Sequence, residues 1–485
     1  MTTAPRRRAR PLTPVEAGRA VWDLVVVGAG SAGLVAARTA AVLGARVLLI
    51  EARGFGGECL YTGCVPSKAL IAAADAAQDA RGAGRLGIHV DEVRVDFAAV
   101  MAHVKRAIAE IEPVDSPETL AGSGVFTLRG RARFDGPRSL VVEGVGIRFR
   151  DAILATGSSP VVPDGVDVLT NETVWDLESL PESLLVLGGG AIGCELAQAF
   201  ARLGSRVTLV HRGDRVLPKE DPDASALVLA ALRADGVDVR LGTTLAEATR
   251  ADGRTTARLS DGSTVVAERV LAALGRRVDT TALGLDAAGV ALDDSGAIAV
   301  ERTLATSNPR IRAAGDATPL PRFTHTAGMF GSVAATNAVL GLKRRVRLDD
   351  VPRVTFTAPE VAAVGVSSAD AAASGLRVVE TAHHDLDRAI AEGRTAGFTR
   401  LVVDRRGRVV GATIVGPRAG ESLGELSTAV SLGLTVRALA GVLHAYPTYS
   451  DAGWNAAVRD AQGALRRGAV AAVIRLLRRV RRRRR

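Results

Sequence analysis

Two glycine runs constrain this chain more than any other feature. GAGSAG spans Gly28 to Gly33, and GGGAIG spans Gly188 to Gly193. Each follows an apolar run, Trp22 to Val27 and Leu184 to Leu187, and each opens a stretch with helical character, Leu34 to Leu43 and Cys194 to Leu203. A lone G-x-G-x-x-G is weak evidence, but between strand and helix it lets the backbone approach a pyrophosphate at the helix N-terminus. Gly28, Gly30 and Gly33, and then Gly188, Gly190 and Gly193, therefore predict two dinucleotide-binding units. The residue that ends the next strand selects the ribose. Glu51 ends Arg46–Ile50 and can accept from ribose hydroxyls, whereas His211 and Arg212 end Arg206–Val210, where a cation suits a 2′-phosphate. The second site is expected to take NADPH, with NADH as the alternative.

Between the two units stands EARGFGGECLYTGCVPSKAL, residues 51–70, which holds two of the chain's three cysteines, Cys59 and Cys64. In a regular helix residues five apart lie roughly 8.6 Å apart, beyond the ~7 Å reach of a disulfide. A redox pair here needs a bent first turn, and Gly63 with Gly56-Gly57 permits one. A zinc site needs about four ligands, and Cys194 lies far away in another motif. A purely structural disulfide across so short a loop would add little stability. The pair is read as redox-active.

The segment GGECLYTGCVPSK resembles the active site of the flavin-dependent pyridine nucleotide-disulfide oxidoreductases, the family of dihydrolipoamide dehydrogenase, glutathione reductase and mercuric reductase. Further motifs follow in that family's order over about residues 21 to 460. The resemblance implies that the first unit binds FAD, with Thr156 and Gly157 near its nucleotide and Asp316 on its ribityl chain, and that Gly275 closes the nicotinamide unit. It implies that Cys64 faces the flavin and Cys59 the substrate, with Lys68 and Glu195 as an ion pair beside the flavin. It also implies a homodimer in which Tyr446 and Asp451 of the partner contact the acceptor, a small molecule or a metal ion.

Three departures qualify this. Glu58 replaces the family's commoner Thr and adds a carboxylate beside the outer sulfur, and Tyr61-Thr62 replace Asn-Val. Tyr446 and Asp451 stand where disulfide reductases carry His and Glu. A phenol near pKa ~10 exchanges a thiol's proton poorly at neutral pH compared with an imidazole near ~6.5. Mercuric reductases also carry Tyr here, but their vicinal C-terminal cysteines are missing. His444 is read as a loop histidine. The expected activity is NAD(P)H oxidation through FAD and Cys59–Cys64, mercuric-reductase-like. The alternatives are a dihydrolipoamide dehydrogenase, another disulfide or quinone reductase, or a non-turnover redox sensor.

The expected fold is α/β, with two Rossmann-like domains and a C-terminal α+β dimerisation domain. The FAD domain is discontinuous, residues 21–160 and 280–345, with the NAD(P) domain, 161–279, inserted. Residues 350–465 form the interface domain. Residues 1–20 read as a disordered basic arm, and the lack of an apolar segment behind them argues against a signal peptide. With so few cysteines, this points to the cytoplasm. The net charge of +10 equals the ten arginines of residues 466–485, which hold no acid, so a specific nucleic-acid surface is not expected. In that tail Val470, Val473, Ile474, Leu477 and Val480 recur at helical spacing among arginines, which suggests contact with an anionic membrane surface.

Overall fold

The computed structural model describes residues 9–466 and 468–483. Valine- and leucine-rich segments form its first sheet because both faces are covered, which suits continuous apolar runs rather than alternation. Val21–Val27 lies at the middle of that sheet. It pairs in parallel with Val47–Glu51 on one side and Val145–Leu154 on the other, and Leu24, Val25 and Val26 are completely buried. Helix α1, Ser31–Val42, follows the first glycine loop directly.

One sequence expectation is corrected in this sheet. Residues 9–20 are not a disordered arm: Pro11–Leu12 pairs with the strand Val125–Arg129, and Thr13 caps the short helix Pro14–Gly18 in a reciprocal capping box with Glu16. Residues 1–8 lie outside the described residues. Val125–Arg129 pairs in parallel with Val47–Glu51, and the antiparallel part begins only at Ala132–Gly136, continuing through Ser139–Val142 into Val145–Leu154.

The chain leaves this sheet at Ser159–Pro160. It builds a second, parallel sheet from Asp238–Leu241, Arg206–His211, Ser183–Leu187 and Arg269–Ala272. Arg276–Arg277 then pairs antiparallel with Ser159–Pro160, and Ile311–Ala313 returns to the first sheet beside Val145–Leu154. The last unit is a five-stranded antiparallel sheet from Arg353 to Gly416. Its buried Leu401, Ala412 and Ile414 share one core with Leu423, Leu426, Ala456 and Ala457 of the helices that follow.

Candidate functional site

The redox segment is shaped by glycines. Gly56 and Gly57 have φ of +120° and +64°. A Cβ on Gly57 would stand 2.4 Å from Gly30 Cα, so the segment lies in direct contact with the first dinucleotide loop. Helix α2, Gly57–Tyr61, breaks at Thr62-Gly63, and helix α3, Cys64–Arg81, starts afresh. The break supplies the bend that the cysteine spacing requires.

Cys59 is half-buried and Cys64 exposed, and both are free thiols. Cys64 Sγ lies 3.2 Å from Thr324 Oγ1. A hydrogen bond from Cys59, another from Thr324 and the charge of Lys68 bring Cys64 down to about 6, while the same sharing of one proton, together with burial, raises Cys59. The sulfur named for the flavin side is therefore the thiolate of the pair. Thr324 went unnoticed in the sequence because no local motif marks it. It begins helix α5, Thr324–Leu340, packed along α1, and so brings a helix N-terminus, favourable to negative charge, to the sulfur.

Helix α4, Ala191–Leu203, follows the second glycine loop. It carries Glu195, whose Oε2 accepts from Lys68 Nζ at 2.8 Å on α3 while Oε1 accepts from the Phe356 amide at 2.9 Å. The Lys68 ammonium also lies 4.2 Å from the Phe356 ring centroid. This one pair joins elements from all three units. Two turns further on, Arg202 bonds Asp75 and Asp235 at 2.5 and 2.8 Å and strengthens the α3–α4 contact.

Glu58 does not sit free beside Cys59. Arg276 grips its carboxylate with two bonds of 2.5 and 2.7 Å, and Asn171 donates a third at 2.9 Å. Arg276 also donates to Ser158 Oγ at 2.7 Å, and that hydroxyl donates to Asp316 at 3.0 Å. Desolvation pushes Glu58 up to about 7 even against the Arg276 guanidinium, so near neutrality its carboxyl carries its charge only in part. The sequence flagged Glu58 and Asp316 separately, and the structure joins them through Arg276 and Ser158.

Both glycine loops fit a dinucleotide. Gly33 and Gly193 each leave only 1.8 Å between a built Cβ and the carbonyl oxygen of Gly28 or Gly188, so neither tolerates a side chain. Gly30 and Gly190 are the N-caps of α1 and α4 and place no side chain across the helix ends. Glu51 is oriented by amides of Ala29 and Arg53 at 2.7 and 2.6 Å. Thr156 Oγ1 is buried without a partner, an orphan that a bound cofactor can satisfy, and Gly157 and Gly275 turn with φ of +75° and +115°. In the second unit His211 Nδ1 accepts from Gly189 N at 3.1 Å. Burial and then the charge of Arg212 lower its pKa, so the neutral ring carries its proton on Nε2, which is buried and unpartnered. Arg212 beside it is exposed.

Tyr446 and Asp451 lie on the C-terminal unit, and among the described residues no hydrogen bond joins either to Cys59 or Cys64 of the same chain. Tyr446 is exposed and donates to Asp387 at 2.5 Å, which raises its pKa further. Asp451, buried at the start of helix α6, Asp451–Leu465, accepts from the Thr448 amide at 3.1 Å. His444 is fixed by Glu425 at 2.8 Å and the Val442 carbonyl at 3.1 Å.

Comparison with known proteins agrees with this geometry. The family described as Pyridine nucleotide-disulphide oxidoreductase matches residues 22–331, and its dimerisation domain matches residues 351–457. The chain is 37% identical over 449 residues to a mercuric reductase of Streptomyces lividans, covering 89% of this chain and 94% of that one. It is 36% identical over 450 residues to a dihydrolipoyl dehydrogenase of Thermus scotoductus, covering 89% and 95%. Among solved structures, LpdA from Mycobacterium tuberculosis superposes with a TM-score of 0.84 at 30% identity, over 90% of this chain and 99% of that one. The HOCl-induced flavoprotein disulfide reductase RclA of Escherichia coli, as its Cu(II) complex, gives 0.80 at 26% identity over 91% and 99%. The chain belongs to the pyridine nucleotide-disulphide oxidoreductases and is an FAD-dependent enzyme of that family.

Proposed function

We propose that the enzyme oxidises NADPH and passes two electrons through Cys59 and Cys64 to a soft, thiol-seeking acceptor such as mercuric ion. The Cys59–Cys64 pair carries this reading, because its bend around Gly63 and its contact with the first glycine loop through Gly57 put both sulfurs beside the flavin unit. FAD, when bound, supplies the two-electron link between nicotinamide and sulfur. Thr156, Asp316 and Glu51 would hold it, while His211 Nε2–H and Arg212 would meet a 2′-phosphate. In balance, NADPH converts the disulfide to one thiolate and one thiol and leaves as NADP+. Mercuric ion then takes both electrons, restoring the disulfide and releasing one proton.

Within this cycle Cys64 holds the negative charge and Cys59 holds the proton. Lys68, fixed by Glu195, supplies the positive charge that favours the thiolate. Tyr446 and Asp451 of one chain would face the acceptor beside the cysteines of the other. With its proton retained by Asp387, Tyr446 is a weak acid-base group, which disfavours dithiol–disulfide exchange and supports an acceptor that binds sulfur directly.

Anaerobic titration with NADPH and NADH, followed by acceptor assays with mercuric ion and lipoamide, tests the reading. NADPH is expected to bleach the flavin at lower concentration than NADH, and Arg212→Glu to reverse that order. Mercuric ion should be turned over, and Cys59→Ser should abolish that turnover while leaving flavin reduction intact. Full turnover by Cys59→Ser would remove the cysteine pair from the path and leave a flavin-only reductase or a sensor.

A further inference from the structure

Helix α7, Gly468–Arg483, follows α6 at the C-terminal end, and among the described residues no hydrogen bond joins it to Cys59, Cys64 or Lys68. At about 100° per residue, Val470, Val473, Ile474, Leu476, Leu477 and Val480 fall within an arc of roughly 160°. Arg475, Arg478, Arg479 and Arg482 occupy the opposite side, and Arg481 alone falls inside the apolar arc, in the last turn, where its long stem can lift the charge outward. Among the described residues nothing covers most of the apolar face: Val473 is 53% exposed, Leu476 60% and Leu477 61%. Arg467, Arg484 and Arg485 lie outside the described residues, but residues 466–485 together hold ten arginines and no acid.

No helix among the described residues is long and apolar enough to cross a membrane, and α7 at 16 residues spans only about 24 Å. Its partner must accept apolar side chains on one face and many cations on the other. A nucleic acid would use the arginines but leave the large apolar side chains in water. A second copy of α7 would bury them but offers no acid to offset the arginines it brings close. A bilayer rich in anionic phospholipid meets both demands, with acyl chains for the apolar arc and headgroups for the arginines. We propose that α7 is an interfacial anchor that lies on such a surface and holds the reductase there.

Co-sedimentation of the full-length holoenzyme tests this, with vesicles of phosphatidylcholine alone and with vesicles containing roughly 30% phosphatidylglycerol at near-physiological salt. Binding to the anionic vesicles and none to the neutral ones is expected. Val473→Glu/Leu477→Glu, which keeps every arginine, should lower partitioning by at least about tenfold, and removal of residues 466–485 should abolish it. Unchanged flavin absorbance and dimer mass confirm that both variants are folded. Equal recovery with both vesicle types, or a double variant that pellets like the parent, overturns the anchor. Retention of the parent and the double variant alike on random-sequence duplex DNA assigns the tail to nucleic acid instead.

Discussion

Cys64 holds the lower pKa of its pair because its sulfur receives hydrogen bonds from Cys59 and Thr324 while Lys68 adds positive charge. Its folded-state value of about 6 lies below that of a free thiol. The thiolate therefore stabilises the reduced protein above the free thiol's pKa, and that contribution disappears as pH falls through 6. Alkylation of the reduced enzyme by iodoacetamide should accordingly rise with pH around a midpoint near 6 rather than ~8.5. Thr324→Val removes one donor and should move the midpoint up by about one unit; an unmoved midpoint would show that Thr324 does not hold the charge. At this scale the sequence was legible wherever the chemistry is local. The cysteines and the glycine loops are marked by spacings of a few residues, and Glu51 by its place at the end of the strand after the first loop. Thr324 and Arg276 act on Cys64 and Glu58 across 260 and 218 residues, and no local spacing announces such a contact.

Among elements, the α3–α4 contact depends on Lys68 and Glu195. Glu195 is 7% exposed, so removing its cation leaves a desolvated carboxylate with one amide donor. Fully buried pairs cost about 3–5 kcal/mol to break from one side, but the Lys68 side chain is 37% exposed. Lys68→Met is expected to cost about 1–2 kcal/mol. Its thermal midpoint should fall and NADPH should reduce its flavin more slowly, while Lys68→Arg recovers part of both. A midpoint equal to the parent's would mean that solvent already screens the pair. The central strands were readable because buried parallel strands appear as unbroken apolar runs. The order Ala132–Gly136, Ser139–Val142, Val145–Leu154 was only partly readable, since alternation marks an antiparallel pair but not where a parallel strand beside it ends. Pro11–Leu12 was missed because two residues are too few for any period.

The dimerisation domain over residues 351–457 supports a homodimer, and the C-terminal unit leaves large side chains uncovered: Leu432 at 70%, Leu443 at 98% and Tyr446 at 73%. Leu432→Glu/Leu443→Glu should shift the species from twice the 50.2 kDa chain mass to the single chain, as read by light scattering. Acceptor turnover should fall with it while flavin absorbance persists. A variant that stays dimeric would place the interface elsewhere. Chain entry and exit at the second parallel sheet lie side by side, because Ser159–Pro160 and Arg276–Arg277 pair as one antiparallel ribbon. That doorway makes the intervening segment a graftable cassette. Relatives could exchange coenzyme preference by trading everything between the two strands, and the recombinant would keep its sulfur chemistry as long as the incoming segment brings counterparts of Glu195 for Lys68 and Asn171 for Glu58 and Arg276 stays behind to hold Glu58 and Ser158.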